Sequence, residues 1–144
     1  MSTHIERVAI GALAIFIAVS AAAGAIGLIG GGLPFPPEWL EGTPFPDYVG
    51  PGLILGVVVG GSALVAGIMV LRGHPLAIAA AFAAGMVQLG WILGEVILIG
   101  TYGAVMLWLQ VIYGVSGALL ATLAYDAARR AGSAAPARPS GVRP

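Results

Sequence analysis

The chain alternates four long apolar segments with short polar or proline-rich breaks. The apolar segments cover residues 8–29, 51–71, 76–99 and 102–125. A helix needs roughly 20 mainly apolar residues to cross a bilayer, and each segment is long enough. The sequence therefore predicts an all-α membrane protein, in which residues 1–130 form one domain, a bundle of four transmembrane helices.

The breaks between the apolar segments set the connections of this bundle. Residues 72–75 and 100–103 are too few for anything except tight turns, so the helices that they join must be antiparallel neighbours. Residues 30–50 form a longer loop rich in proline and aromatic residues. Residues 131–144 are rich in Ala, Pro and Gly without apolar periodicity, and we expect a disordered tail there.

The charged residues predict the direction of insertion. Arginines precede the first segment, lie between the second and third, and follow the fourth, whereas the loop at 30–50 is acidic. Basic residues stay on the cytoplasmic side of membranes. We therefore expect a multi-pass membrane protein with both termini and the tail in the cytoplasm. The first apolar run is longer than that of a typical signal peptide, which favours a retained helix.

Composition narrows the classes of function. The chain is 59% hydrophobic and 8% charged, with a formal net charge of zero and no cysteine. Soluble domains carry roughly a quarter charged residues, so lipid must solvate this surface. The balance of charge argues against a nucleic-acid partner. We expect no metal site and no catalytic residues, since the sequence contains none of the common catalytic or phosphate-binding motifs.

Small residues predict how two helices pack. Gly52, Gly56 and Gly60 lie four residues apart in the second segment and therefore share one helical face. Such a strip lets another helix backbone approach closely. We expect it to pack inside the bundle, with a dimer interface as the alternative.

The loop at 30–50 is predicted to be a structured cap over the outer end of the bundle. Its aromatic residues suit the level of the lipid headgroups, and its prolines restrict the chain. The cap residues are Phe35, Trp39, Phe45, Asp47 and Tyr48.

Polar residues within the third and fourth segments form the candidate site. Gln88, Trp91 and Glu95 lie at i, i+3 and i+7 of the third helix, and Gln110 and Tyr113 share a face of the fourth. The tight turn between the two helices brings Glu95 and Gln110 to similar depths near the outer end. Ionisable groups inside a membrane are costly and mark candidate functional sites.

Three roles remain open for Glu95. It could hydrogen-bond to Gln110 or Tyr113 and hold two helices together. It could form a proton- or cation-coupled site that opens outward beneath the loop. It could also contact a polar residue of a partner membrane subunit.

The run WLEGTPFPDY at 39–48, followed by PG at 51–52, WI at 91–92 and LQ at 109–110, resembles a group of small four-helix bacterial membrane proteins without an assigned activity. The resemblance implies the four-helix fold and a location in the bacterial cytoplasmic (inner) membrane. It implies no particular chemistry.

These observations predict a non-enzymatic accessory or stabilising subunit of a larger membrane complex. Its partners would be the lipid bilayer and either another membrane protein or further copies of the chain. The alternative is a proton-coupled small-molecule transporter, or a lipid- or quinone-binding protein, that uses Glu95. No cofactor is expected apart from such a bound lipid or quinone.

Overall fold

The computed structural model describes residues 3–133, and within that range it is helical, without strands. It contains four long helices: α1 (Thr3–Ile29), α2 (Val49–Leu71), α3 (Ala77–Leu98) and α4 (Gly103–Ser133). A short 3₁₀ turn, Pro37–Leu40, lies in the loop between α1 and α2. All four helices are long and apolar enough to cross a membrane. The prediction of four apolar helices is confirmed.

Two helices extend beyond the predicted spans. α1 begins at Thr3 rather than residue 8, and α4 continues to Ser133, past residue 125 and into the expected tail. An ion pair joins these two extensions, in which Arg130 donates to Glu6 at 2.5 Å. Residues 134–144 of the predicted tail lie outside the described range.

The helices form an antiparallel bundle in chain order. Each helix packs against the next, and α4 returns to α1, whereas α1 and α3 contact each other little. The turns use left-handed glycines, Gly73 between α2 and α3 and Gly100 between α3 and α4. One end of the bundle therefore holds the Glu6–Arg130 pair, and we call it the terminal end. The other holds residues 30–48 and is called the loop end.

The predicted glycine strip lies against α1. A Cβ atom on Gly52 would come within 2.7 Å of Ile29 Cγ1, and one on Gly56 would lie 2.9 Å from Ala25 Cβ. Gly60 continues this contact one turn further along. Hydrogen bonding widens to a π-helix over Ile54–Gly60, within the segment that contacts α1.

A second close contact joins α3 to α4. A Cβ atom on Gly85 would lie 2.7 Å from the backbone nitrogen of Ala121 and 2.8 Å from the carbonyl oxygen of Gly117. The two backbones meet here without an intervening side chain, as small residues permit between membrane helices.

The packed core occupies the terminal half of the bundle. Its largest fully buried side chains are Ile10, Ile17, Val59 and Leu120. Alanines from all four helices surround them, so the helices lie close together. The loop-end half is built differently, because its helices surround a cavity.

Candidate functional site

A cavity of about 560 Å³ lies inside the loop-end half. All four helices contribute to its wall, including Gly24 of α1, Leu55 of α2, Ile92 of α3 and Met106 of α4. The wall is mainly apolar. Pockets for small molecules usually measure roughly 300–1,000 Å³ and combine apolar walls with a few polar groups. This space is therefore large enough for a ligand.

Glu95 and Gln110 form the polar wall of the cavity. Gln110 Nε2 lies 3.4 Å from Glu95 Oε1 and donates to the carbonyl oxygen of Gly100 at 3.0 Å. Thr101 Oγ1 donates to Gln110 Oε1 at 2.6 Å, which fixes the orientation of the buried amide. Both the oxygen and the nitrogen of the Gln110 amide thus have hydrogen-bond partners in the protein. Glu95 has capacity for further partners.

Trp91 and Gln88 extend this wall along α3. Trp91 lies about one helical turn before Glu95 on α3, and both line the cavity. Gln88 is buried, and its Nε2 lies 3.5 Å from the backbone carbonyl oxygen of Tyr113. All three side chains line the cavity. The i, i+3, i+7 spacing in the sequence thus corresponds to one wall of the cavity.

Tyr113 lines the cavity but directs its ring toward α1. The ring stacks on Phe16 with centroids 6.2 Å apart and an interplanar angle of 20°. Its backbone carbonyl, rather than its hydroxyl, accepts from Gln88 and Ser116. Tyr113 therefore joins α4 to α1, whereas the hydrogen bond to Glu95 comes from Gln110.

Three of the five predicted cap residues form the roof of the cavity. Phe35, Trp39 and Tyr48 line it together with Leu33. The Phe35 and Trp39 rings lie 5.4 Å apart, and Trp39 stacks on Tyr102 at 4.8 Å with an interplanar angle of 12°. The loop is therefore attached to the turn between α3 and α4 and closes this end.

Tyr48, at the C-terminal end of the loop, also holds the loop in place. Its hydroxyl donates to the carbonyl oxygen of Pro36 at 2.7 Å. Partial burial, followed by the charge of Glu38, raises the pKa of Tyr48 above its usual value of 10.0, so the hydroxyl keeps its proton. The neutral form is the one that can donate to Pro36.

The other two cap residues lie outside the cavity wall. Phe45 packs beside Gly50, where a Cβ atom would lie 2.9 Å from its ring. Asp47 Oδ1 accepts from the backbone nitrogen of Val49 at 2.9 Å, at the first residue of α2. These two residues shape the entry into α2.

One side of the cavity lies between α1 and α4. Val19 of α1 is 64% exposed and Leu109 of α4 is 37% exposed, and both line the space. In a bilayer these side chains would face lipid. The roof closes the loop end, so the route between α1 and α4 leads sideways into the surrounding phase.

Sequence analysis missed both the cavity and the Glu6–Arg130 ion pair. Glu6 is only 5% exposed, whereas the sequence suggested a flanking charge. The similar lengths of the apolar segments give no sign that the helices separate at one end. Within residues 3–133, no cluster of three metal-ligating side chains occurs.

Comparison of the chain with protein-family models, with curated proteins and with solved structures finds no match. The site must therefore be interpreted from its own geometry.

Proposed function

We propose that this chain is a multi-pass protein of the bacterial cytoplasmic membrane that binds a membrane-soluble amphiphile, such as a lipid or quinone, in the loop-end cavity. The observation that carries the proposal is the apolar 560 Å³ space with Glu95 and Gln110 on its wall. A molecule with an apolar body and one polar group would match this distribution.

The position of the opening supports a ligand that arrives from lipid. Val19 and Leu109 line the cavity on helices that a bilayer would surround. The aromatic roof shields the same space from the aqueous side. An amphiphile could therefore enter between α1 and α4 without crossing water.

The binding proposal is tested by filling the cavity. Leu109→Trp adds bulk to a lining position that is already partly exposed, so the fold can tolerate it. The matched control is Leu107→Trp on the same helix, which is exposed and does not line the cavity. Each protein is purified in mild detergent, and its bound lipids and quinones are extracted and quantified by mass spectrometry.

We expect a stoichiometric molecule in the wild type and in Leu107→Trp, and at least a tenfold loss in Leu109→Trp. Equal recovery from all three proteins would place the bound molecule elsewhere. If the wild type yields only the lipid composition of the membrane, the cavity holds no specific ligand and the proposal fails.

The orientation is proposed from the separation of charge. Arg7 lies beside the Gly73 turn, and Arg130 pairs with Glu6, so the basic residues of the described chain gather at the terminal end. The loop end carries acids instead. We place the terminal end in the cytoplasm because basic residues remain there.

The lack of cysteine makes this orientation simple to test. Thr43→Cys places a thiol in the loop, and Ser133→Cys places one at the end of α4. A membrane-impermeant maleimide should label Thr43→Cys in intact cells and Ser133→Cys only after permeabilisation. The reverse pattern would invert the topology.

An accessory role is the second candidate. It is favoured by Gly90 and Gly94 on α3, where an added Cβ atom would meet nothing within 4 Å. Another helix could therefore pack closely on this face. Purification in mild detergent should then recover a stoichiometric membrane partner, and a chain that remains monomeric and alone would exclude this role.

A further inference from the structure

The ligand's polar group can be inferred from the groups that the cavity leaves unpaired. Gln110 is engaged by Thr101 at one face and by Gly100 and Glu95 at the other. The hydrogen-bond partner of the Glu95 carboxyl group is the neutral amide of Gln110, at 3.4 Å. Within residues 3–133, Glu95 is thus an acidic group on the cavity wall that forms no ion pair.

No basic side chain of residues 3–133 lies at the loop end. The arginines and histidines of this range belong to the N-terminal turn of α1, to the turn after α2 and to the end of α4. The loop end instead carries Glu38, Glu41 and Asp47, all of them exposed. Its electrostatic field is therefore negative, which favours cations and disfavours anions.

The roof supplies aromatic rings to the same cavity as this carboxylate. Phe35, Trp39 and Tyr48 form one cluster, with Phe35 5.4 Å from Trp39 and 6.2 Å from Tyr48. Trp91 adds an indole on the wall beside Glu95. Aromatic rings attract ammonium groups through their negative faces, most strongly when water is excluded.

Taken together, an unbalanced carboxylate, aromatic walls and a negative rim are complementary to one class of ligand. We infer that the cavity selects a hydrophobic cation, an amphiphile whose ammonium group contacts Glu95 and whose apolar body fills the space between α1 and α4. This inference rests on the proposed binding function and names the chemistry of its ligand. A neutral quinone and an anionic lipid are the competing occupants.

Three fluorescent probes separate these occupants. They are diphenylhexatriene with a trimethylammonium group, diphenylhexatriene without a charged group, and diphenylhexatriene with a propionate group. Their apolar bodies are the same, so differences in affinity report the charge. Trp39 and Trp91 line the cavity and can transfer excitation energy to a bound probe. Trp108 lies exposed on α4, so every protein carries Trp108→Phe to remove its background.

Affinity is measured as saturable energy transfer in lipid nanodiscs. We expect the ammonium probe to bind at least tenfold more tightly than the other two. Glu95→Gln should weaken that probe by about ten- to a hundredfold, the usual range for a lost charge-assisted contact, and leave the neutral probe within twofold. Retained binding of the neutral probe shows that the variant is folded.

The matched control is Glu41→Gln, which removes an exposed loop-end acid outside the cavity wall. It should alter the affinity of the ammonium probe by less than threefold. Equal affinity for all three probes, or indifference to Glu95→Gln, would overturn the selection of cations while leaving the proposed binding function intact. Preference for the propionate probe would overturn it as well. If no probe saturates, both the inference and the binding function fail.

Discussion

The two ends of the bundle provide opposite surroundings for a carboxyl group. At the terminal end, Glu6 is buried and paired with Arg130, in the half of the bundle that holds the alanine-rich core. At the loop end, Glu95 has only neutral donors and borders a cavity. The same four helices thus supply a rigid half and a hollow half. The close-packed core thus lies in the half with the paired carboxylate, and the cavity lies in the half without such a pair.

The largest loss of stability should come from a substitution in the close-packed half, at Gly85. A valine there would force its side chain against the backbone of Ala121 and Gly117. Overpacking usually costs about 1–3 kcal/mol, and we expect the upper limit because backbone atoms cannot give way easily. Unfolding by heat or denaturant, measured on the protein in detergent, reports this change in stability.

Gly90→Val is the control for this prediction. Gly90 lies on the same helix, but an added Cβ atom would meet nothing there. Its free energy of unfolding should change by less than about 0.5 kcal/mol, as for ordinary surface substitutions. If both valines were equally tolerated, the helices would not be in close contact at Gly85.

The second-largest loss of stability should come from breaking the ion pair between Glu6 and Arg130. Arg130→Gln leaves Glu6 buried without a charged partner. We expect the free energy of unfolding to fall by about 1–2 kcal/mol. This is less than the usual cost of breaking a buried pair, because Arg130 is 56% exposed. Glu6→Gln should cost less, since the remaining arginine can reach water. A double-mutant cycle in unfolding experiments measures the coupling, and a value near zero would assign the pair no structural role.

The third effect concerns the roof. Tyr48→Phe removes the donor to the carbonyl oxygen of Pro36 and leaves the aromatic packing in place. The expected loss is about 1 kcal/mol, typical of a single hydrogen bond. Limited proteolysis should detect faster cleavage in the loop at 30–48, while the terminal half keeps its resistance.

The same tyrosine predicts a response to alkaline pH. Its pKa is raised in the folded protein, so the stability contributed by the neutral hydroxyl is complete below the ordinary value of 10.0 and is lost as pH rises through the higher folded value. Wild type should therefore lose more stability than Tyr48→Phe when pH is raised above 10. Parallel pH profiles for the two proteins would contradict this assignment.

The smallest effect is expected from Glu95→Gln in the absence of ligand. The contact with Gln110 is long, at 3.4 Å, and contacts of this kind in membrane bundles contribute about 0.6 kcal/mol on average. Unfolding should thus be almost unchanged, in contrast to Arg130→Gln. A loss comparable with that of the Arg130 variant would instead favour the role of Glu95 as a link between helices.

Much of the fold follows from the pattern of apolar segments, because length and hydropathy are local properties. The ends of α1 and α4 do not, because the pair formed there by Glu6 and Arg130 joins residues that are far apart in sequence. The π-helix of α2 likewise has no recognisable signature in the residues that form it.

Spacing along one helix predicts a shared face but not what that face contacts. The sequence put Gln110 within reach of Glu95 because the turn between their helices is short. It could not direct the Tyr113 ring toward Phe16, since that depends on the angle between α1 and α4. The cavity likewise depends on how far apart the helices lie at the loop end, and no local sequence pattern encodes that distance.

The stacking of Trp39 on Tyr102 has a consequence for kinetics. The contact joins the loop after α1 to the turn before α4, so opening the roof requires the two rings to separate. The lateral route past Val19 and Leu109 requires no such step. Residence time of a bound molecule should therefore respond to the lateral pressure and chain order of the surrounding lipid more than to changes in the loop.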